Sequence, residues 1–159
     1  MTASPQYLEC EFPGRDARFV VRLLTSEAPA SCRHLSDLLP IETGVYNSKW
    51  NGAELFVVLP PMQTQTTESP LGAPLTGDVA LFQWGPTHRA APKSLRAEGL
   101  GAYSELGFYY GSLIRAYSPE GPATGTRVGR IVEGLESLAD IAGAMRRDGF
   151  GPIRLSARS

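Results

Sequence analysis

Apolar and polar side chains alternate from Tyr7 to Phe12, with Leu8, Cys10 and Phe12 on one face and Tyr7, Glu9 and Glu11 on the other. That period of two predicts a half-buried strand. Pro13-Gly14-Arg15-Asp16 is a turn sequence, and Ala17 to Leu24 follows as a second strand with both faces mostly apolar. A strand apolar on both sides is covered on both sides. Ser26-Glu27-Ala28-Pro29 then opens a helix, since proline is tolerated in a first turn. Its apolar side is Cys32, Leu35, Leu38 and Leu39, its outer side carries His34, and Pro40 ends it.

Strands are next predicted over Gly44 to Trp50 and Ala53 to Leu59, joined at Asn51-Gly52, a strong two-residue hairpin signal. Leu55 to Leu59 is continuously apolar and should run through a core. Met62 to Leu75 has no period and reads as loop. Asp78 to Trp84 is a strand between Gly77 and Gly85-Pro86. Thr87 to Gly101 is a basic, Ala-rich insertion. Tyr103 to Tyr110 resumes as a strand that Ser112 to Tyr117 can extend, and Ser118 to Thr126 is a Pro/Gly turn region. Near the end, Gly129 and Gly134 bracket a short strand. Leu135, Leu138, Ile141, Ala142 and Met145 then recur at the three-and-four spacing of a helix face. Arg146 and Arg147 suit the carbonyl end of that helix, Gly149 suits a left-handed cap, and Ile153 and Leu155 begin a closing strand.

About eight strands and two helices result, a count that closes into a small barrel filled by side chains with helices plugging its ends. The expected helical seal is Leu138, Ile141 and Met145, with Ile153 and Leu155 pairing back to the first strand. A chain of 159 residues fits a single domain, 1–159. Its 17 glycines and 13 prolines agree with many turns between short strands. A net charge of −1 gives no reason to expect nucleic acid or an anionic membrane as partner. The start MTASPQYLEC has no signal-peptide pattern. No apolar run approaches the roughly 20 residues of a membrane span. A soluble cytoplasmic protein is expected, with Cys10 and Cys32 as small buried hydrophobes. His34 and His88 lack partners at ligand spacing, so no metal is expected. The glycines form no dinucleotide or phosphate-loop fingerprint, so no cofactor is expected.

The order of motifs resembles the cyclophilin-like fold. Glu27-Ala28-Pro29, opening a helix that ends in Leu38-Leu39, is similar to the first helix of cyclophilins. Trp50-Asn51-Gly52-Ala53-Glu54, Gly77-Asp78-Val79, Tyr110-Gly111 and the run from Gly129 to Leu135 are similar to a group of small bacterial cyclophilin-like proteins of unknown function. The resemblance spans Tyr7 to Leu155. It implies a mainly β fold: a closed eight-stranded cyclophilin-like β-barrel capped by two α-helices. Isomerases of this fold carry a His-Arg pair and a Gln-Gly-Gly run, whereas Tyr46 to Glu54 here has no arginine, and no Gln-Gly-Gly run is present. Lys49 is the cation nearest that place, and an ammonium lacks the planar fork of a guanidinium. Lowering an amide rotation barrier of roughly 18–20 kcal/mol is therefore the alternative to a binding role. An accessory role in amide or carboxylate metabolism is a third reading, by fold analogy.

Aromatic residues concentrate between Tyr46 and Tyr110, on the central strands where the resemblance implies a ligand groove. The candidate binding set is Tyr46, Lys49, Trp50, Glu54, Phe82, Trp84, Phe108 and Tyr109. Phe108 falls near a groove aromatic of the family, and Trp50 and Trp84 are placed to stand half exposed at a rim. Glu54, Glu68 and Glu105 are the carboxylates that can turn into such a groove. The expected ligand is a small molecule or short peptide.

Overall fold

The computed structural model describes residues 5–48, 50–63, 66–85, 101–118, 120–146 and 148–158. The elements in chain order are β1 (Tyr7–Glu11), β2 (Arg18–Leu23), α1 (Pro29–Leu38), β3 (Ile41–Asn47) and β4 (Gly52–Leu59). They continue with β5 (Pro70–Leu71), β6 (Asp78–Trp84), β7 (Tyr103–Ile114), β8 (Tyr117–Ser118) and β9 (Gly121–Pro122). β10 (Gly125–Glu133), α2 (Leu135–Met145) and β11 (Phe150–Arg158) complete the chain. Eight strands pair in the order β2-β1-β11-β3-β4-β7-β6-β10, and β2 pairs back to β10. Every pairing is antiparallel, and the β2–β10 pairing closes the sheet into a barrel with no free edge in its ring. Closure removes the unpaired donors and acceptors that an open sheet presents.

Side chains alternate across the barrel wall. Leu8, Cys10, Phe19, Val21, Val45, Leu55, Val57, Val79, Leu81, Leu106 and Phe108 fill the interior. Helix α1 adds Cys32 and Leu35, and α2 adds Leu138, Ala142 and Met145, so each helix buries its apolar stripe on the core left open by the strands. Burial pushes both cysteine thiols above their ordinary range, which makes them inert packing groups.

Several boundaries differ from the expectations above. β3 begins directly after Pro40 and ends at Asn47, and β10 begins at Gly125, well before Gly129. The stretch read as loop contains β5, which pairs with β10. β7 runs to Ile114, after which Tyr117–Ser118 forms a separate small ribbon with β9. α2 ends at Met145, so Arg146 caps it; Gly149 takes a φ of 81°, as its sequence position suggested. Leu138 and Met145 seal the core as expected, while Ile141 is only partly buried. Leu155 pairs with Cys10 of β1, but Ile153 pairs with Thr43 of β3. His34 is half-buried, with its Nε2 3.1 Å from the Pro60 carbonyl oxygen. Desolvation lowers its proton affinity. The basic insertion lies, apart from Gly101, outside the described residues.

Candidate functional site

The outward faces of β3, β4, β7 and β6 carry a second layer of structure. Tyr46 stands opposite Phe56, and Phe56 opposite Gly107. Gly107 faces Ala80, and Glu105 lies between Val58 and Phe82. Glu54 stands opposite Tyr109. Gly107 and Ala80, adjacent and small, leave a hollow in the middle of this face. Ala80, Phe82 and Tyr109 close one side of it together with Leu71 and Ala116, forming a small core outside the barrel.

Glu54 fills the Gly107 gap. A Cβ added at Gly107 would collide with Glu54 Oε1, so the carboxyl lies over the β7 backbone at Gly107. Its Oε2 accepts a hydrogen bond from Asn51 Nδ2 at 2.7 Å. Oε1 makes no close hydrogen bond among the described residues, although the Ser48 and Tyr109 hydroxyls face the carboxyl. Burial is the main effect and outweighs these donors, pushing the Glu54 carboxyl up to about 7. Glu105, also buried, is raised well above the ordinary carboxylate range by desolvation and then by the nearby Glu54; the Trp84 indole N–H opposes this by donating to it. The Tyr109 phenol is raised by desolvation and by both carboxyls.

Asn51 organises the rest. Its side chain is buried, and its Oδ1 accepts from the Tyr117 N–H at 2.7 Å. Its carbonyl oxygen accepts from the Arg115 N–H, and its own N–H donates to Ser48 Oγ at 3.1 Å. One side chain thereby ties the β3–β4 turn, the Glu54 carboxyl and the strand following β7 into one polar unit. The sequence suggested instead a two-residue Asn-Gly hairpin. In the fold, the last paired residues of that hairpin are Asn47 and Leu55, and Gly52 pairs across to Ile114. Gly52 has a φ of 76°, and a Cβ there would strike the Leu113 carbonyl oxygen. Only glycine meets both demands.

A cavity of about 220 Å³ opens between these parts, lined by Tyr46, Asn47, Ser48, Trp50, Asn51, Phe56, Trp84, Glu105, Tyr117 and Gly149. Tyr46 stacks on Phe56 with ring centroids 5.5 Å apart, and Phe82 stacks on Trp84 at 5.6 Å. Arg115 lies on the Tyr117 ring, 4.9 Å from its centroid, and its Nε donates to the Trp50 carbonyl oxygen. A larger hollow of about 710 Å³ lies beside the β1–β2 turn, but none of the charged side chains lining it is buried. The aromatic cavity is the site with perturbed acids and shaped walls.

Of the sequence candidates, Tyr46, Trp50 and Trp84 line the cavity. Trp50 is half exposed and Trp84 partly buried, as a rim position requires. Glu54, Tyr109 and Phe82 support it from behind. Phe108 does not reach it: alternation turns that ring inward, edge-on to Phe19 at 5.1 Å in the barrel core. Lys49 lies outside the described residues. Glu68 is elsewhere, accepting from the Ala30 and Ser31 N–H groups and the Ser31 hydroxyl at the start of α1. That carboxylate serves as a remote helix cap. Glu105 enters the cavity, and the lining residues Asn47, Ser48, Asn51, Phe56 and Tyr117 stood outside the candidate set. Phe56 had a readable signal, being, with Val58, an outward member of an alternating apolar run; Tyr117, beyond a β-strand end, had none.

Among the described residues no group of His, Cys, Asp and Glu is placed to hold a metal ion, and no helix is long and apolar enough to cross a membrane. Residues 11–157 match a family described as proteins of unknown function, DUF3830. The chain belongs to the DUF3830 family. No curated protein matches this DUF3830 chain. Its fold is similar to the structure of McbB in complex with tryptophan, with a TM-score of 0.66 and 16% identity over 96% of the DUF3830 chain. The alignment covers 45% of that longer chain, so the DUF3830 protein spans less than half its length. It is also similar to the solution structure of the hypothetical protein AF2241 from Archaeoglobus fulgidus, with a TM-score of 0.50 and 20% identity. That match covers 99% of this chain and 98% of the other. At these identities the likeness shows the DUF3830 chain's barrel fold and nothing about its activity.

Proposed function

We propose that this protein binds a small organic molecule in the aromatic-walled cavity on the outer face of β3, β4 and β7. The observation that carries the reading is one cavity in which stacked aromatic walls meet a buried carboxyl, Glu105. Rings supply apolar contact area and a few buried polar groups fix orientation, the usual division of labour in a ligand pocket. A volume of about 220 Å³ favours a compact molecule over an extended peptide. The bound tryptophan of the McbB structure, a protein of similar fold, agrees with an aromatic ligand of this size. On this reading the barrel is a cyclophilin-like scaffold used for binding. Proline isomerisation is disfavoured because the described cavity lining contains no arginine.

The test is a thermal-shift panel of small aromatic molecules, tryptophan included. A true ligand at a hundred times its Kd stabilises by about 2.7 kcal/mol, which at this chain length raises Tm by roughly 5–10 °C. Trp50→Ala, at the exposed rim, should weaken the response while leaving the unliganded Tm nearly unchanged. Absence of any response across the panel would remove the binding reading.

A further inference from the structure

We infer that the cavity selects a small primary amine carried on an apolar or aromatic body, held as its ammonium ion against Glu105. This deepens the binding reading and rests on it.

The hydrogen-bond inventory points to a donor ligand. The amide donors at the base of the cavity are already spent within the protein: Asn51 Nδ2 on Glu54, and Asn47 Nδ2 on the Ala142 carbonyl oxygen at 3.2 Å. Ser48 Oγ receives the Trp50 and Asn51 N–H groups. Among the described residues Glu105 is the charged residue that lines the space, and no Lys or Arg lines it. Arg115, which reaches the rim residues from outside, is occupied by the Trp50 carbonyl and the Tyr117 ring. An anionic ligand would meet a buried acid with no described counter-charge, an unfavourable contact. An ammonium would add a charged partner beside the neutral Trp84 indole N–H that already donates to this acid.

The walls point the same way. Tyr46, Phe56, Trp50, Trp84 and Tyr117 line the cavity together with Glu105. Aromatic faces carry negative potential and attract organic cations, most strongly where water is excluded. The Arg115–Tyr117 contact shows one of these rings already engaged with a cation from outside. Glu54 stands behind Glu105 across the Gly107 gap, so a second acid shares the site without touching the ligand. A cation entering the cavity offsets the repulsion between the two acids as well as pairing with one of them.

Three ligands of matched shape separate the terms: 2-phenylethylamine, 2-phenylethanol and 3-phenylpropionate. Each is titrated calorimetrically into the full chain in mildly alkaline solution. The amine should bind at least about tenfold tighter than the alcohol, the size of a charge-assisted contact, and the acid should bind weakest. Glu105→Gln should remove the amine's advantage over the alcohol. Should that variant fail to fold, the three-ligand order on the unaltered protein decides alone. Equal affinities, or tightest binding of the acid, would overturn the amine assignment and leave the binding reading standing. If none of the three binds and the aromatic panel is also silent, both fall.

Discussion

Replacing Glu54 by Gln keeps the shape of the side chain and the acceptor for Asn51 Nδ2, 2.7 Å away, but removes a titrating group. Glu54 has its proton affinity raised from an ordinary value of 4.5 to about 7, first by burial. A carboxyl raised in the folded state binds more protons folded than unfolded. Its contribution to stability is therefore fully present below about 4.5 and is lost as pH rises through about 7. At about 1.4 kcal/mol for each tenfold change in proton affinity, the loss amounts to roughly 3 kcal/mol. Glu105 is raised beside it, so the two protons leave in linked steps and part of the effect is shared. Urea denaturation of both proteins between about pH 5 and about pH 8 should show the stability difference moving toward Glu54→Gln by about 2–3 kcal/mol. That corresponds to roughly 4–12 °C in Tm. Glu105→Gln should move the difference in the same direction, and the double variant should have the flattest profile. A difference between Glu54→Gln and the unaltered protein that stays constant across this range would refute the idea that burial, and not simple packing, dominates at this position.

Two further substitutions probe the same face. Asn51→Leu removes the partner of a buried carboxyl and of the Tyr117 N–H, so it should destabilise by about 2–4 kcal/mol in urea denaturation. Amide exchange at Tyr117 should accelerate beyond what that global loss explains. Gly107→Ala should destabilise by about 1–3 kcal/mol through the collision of the new methyl with Glu54 Oε1. In a Glu54→Ala background the same methyl should cost at least about 1 kcal/mol less, which a double-mutant cycle reads directly.

Most of the barrel could be read from alternation. Leu8, Cys10 and Phe12 announce an inward face, and the spacing of Leu138, Ala142 and Met145 announces a helix stripe. Those signals survive because one buried face imposes one period. Closure between β2 and β10 joins segments about a hundred residues apart and leaves no local signature. The site was most legible in its rings. Tyr46, Trp50 and Trp84 stood out as aromatics near turns or strand ends, but Phe108 shows that aromatic content alone does not say which way a ring faces. The acids were harder still. Glu54 and Glu105 look like solvated strand positions until an outer layer, built from Leu71, Tyr109 and Ala116, covers that side of the sheet. Asn51 was misread for the opposite reason. Asn-Gly is so strong a local turn signal that it conceals a side chain used for long-range ties to Glu54 and Tyr117.

Trp50 and Trp84 are the only tryptophans in the chain, and both line the same cavity. Selective excitation of indole thus views one outer patch of the molecule and is blind to the barrel interior. A fluorescence melt would follow loss of that patch, while far-ultraviolet circular dichroism would follow the strands. Coincident curves would mean that the outer layer and the barrel come apart as one cooperative unit. An earlier fluorescence transition would mean that the patch loosens on a barrel that is still closed.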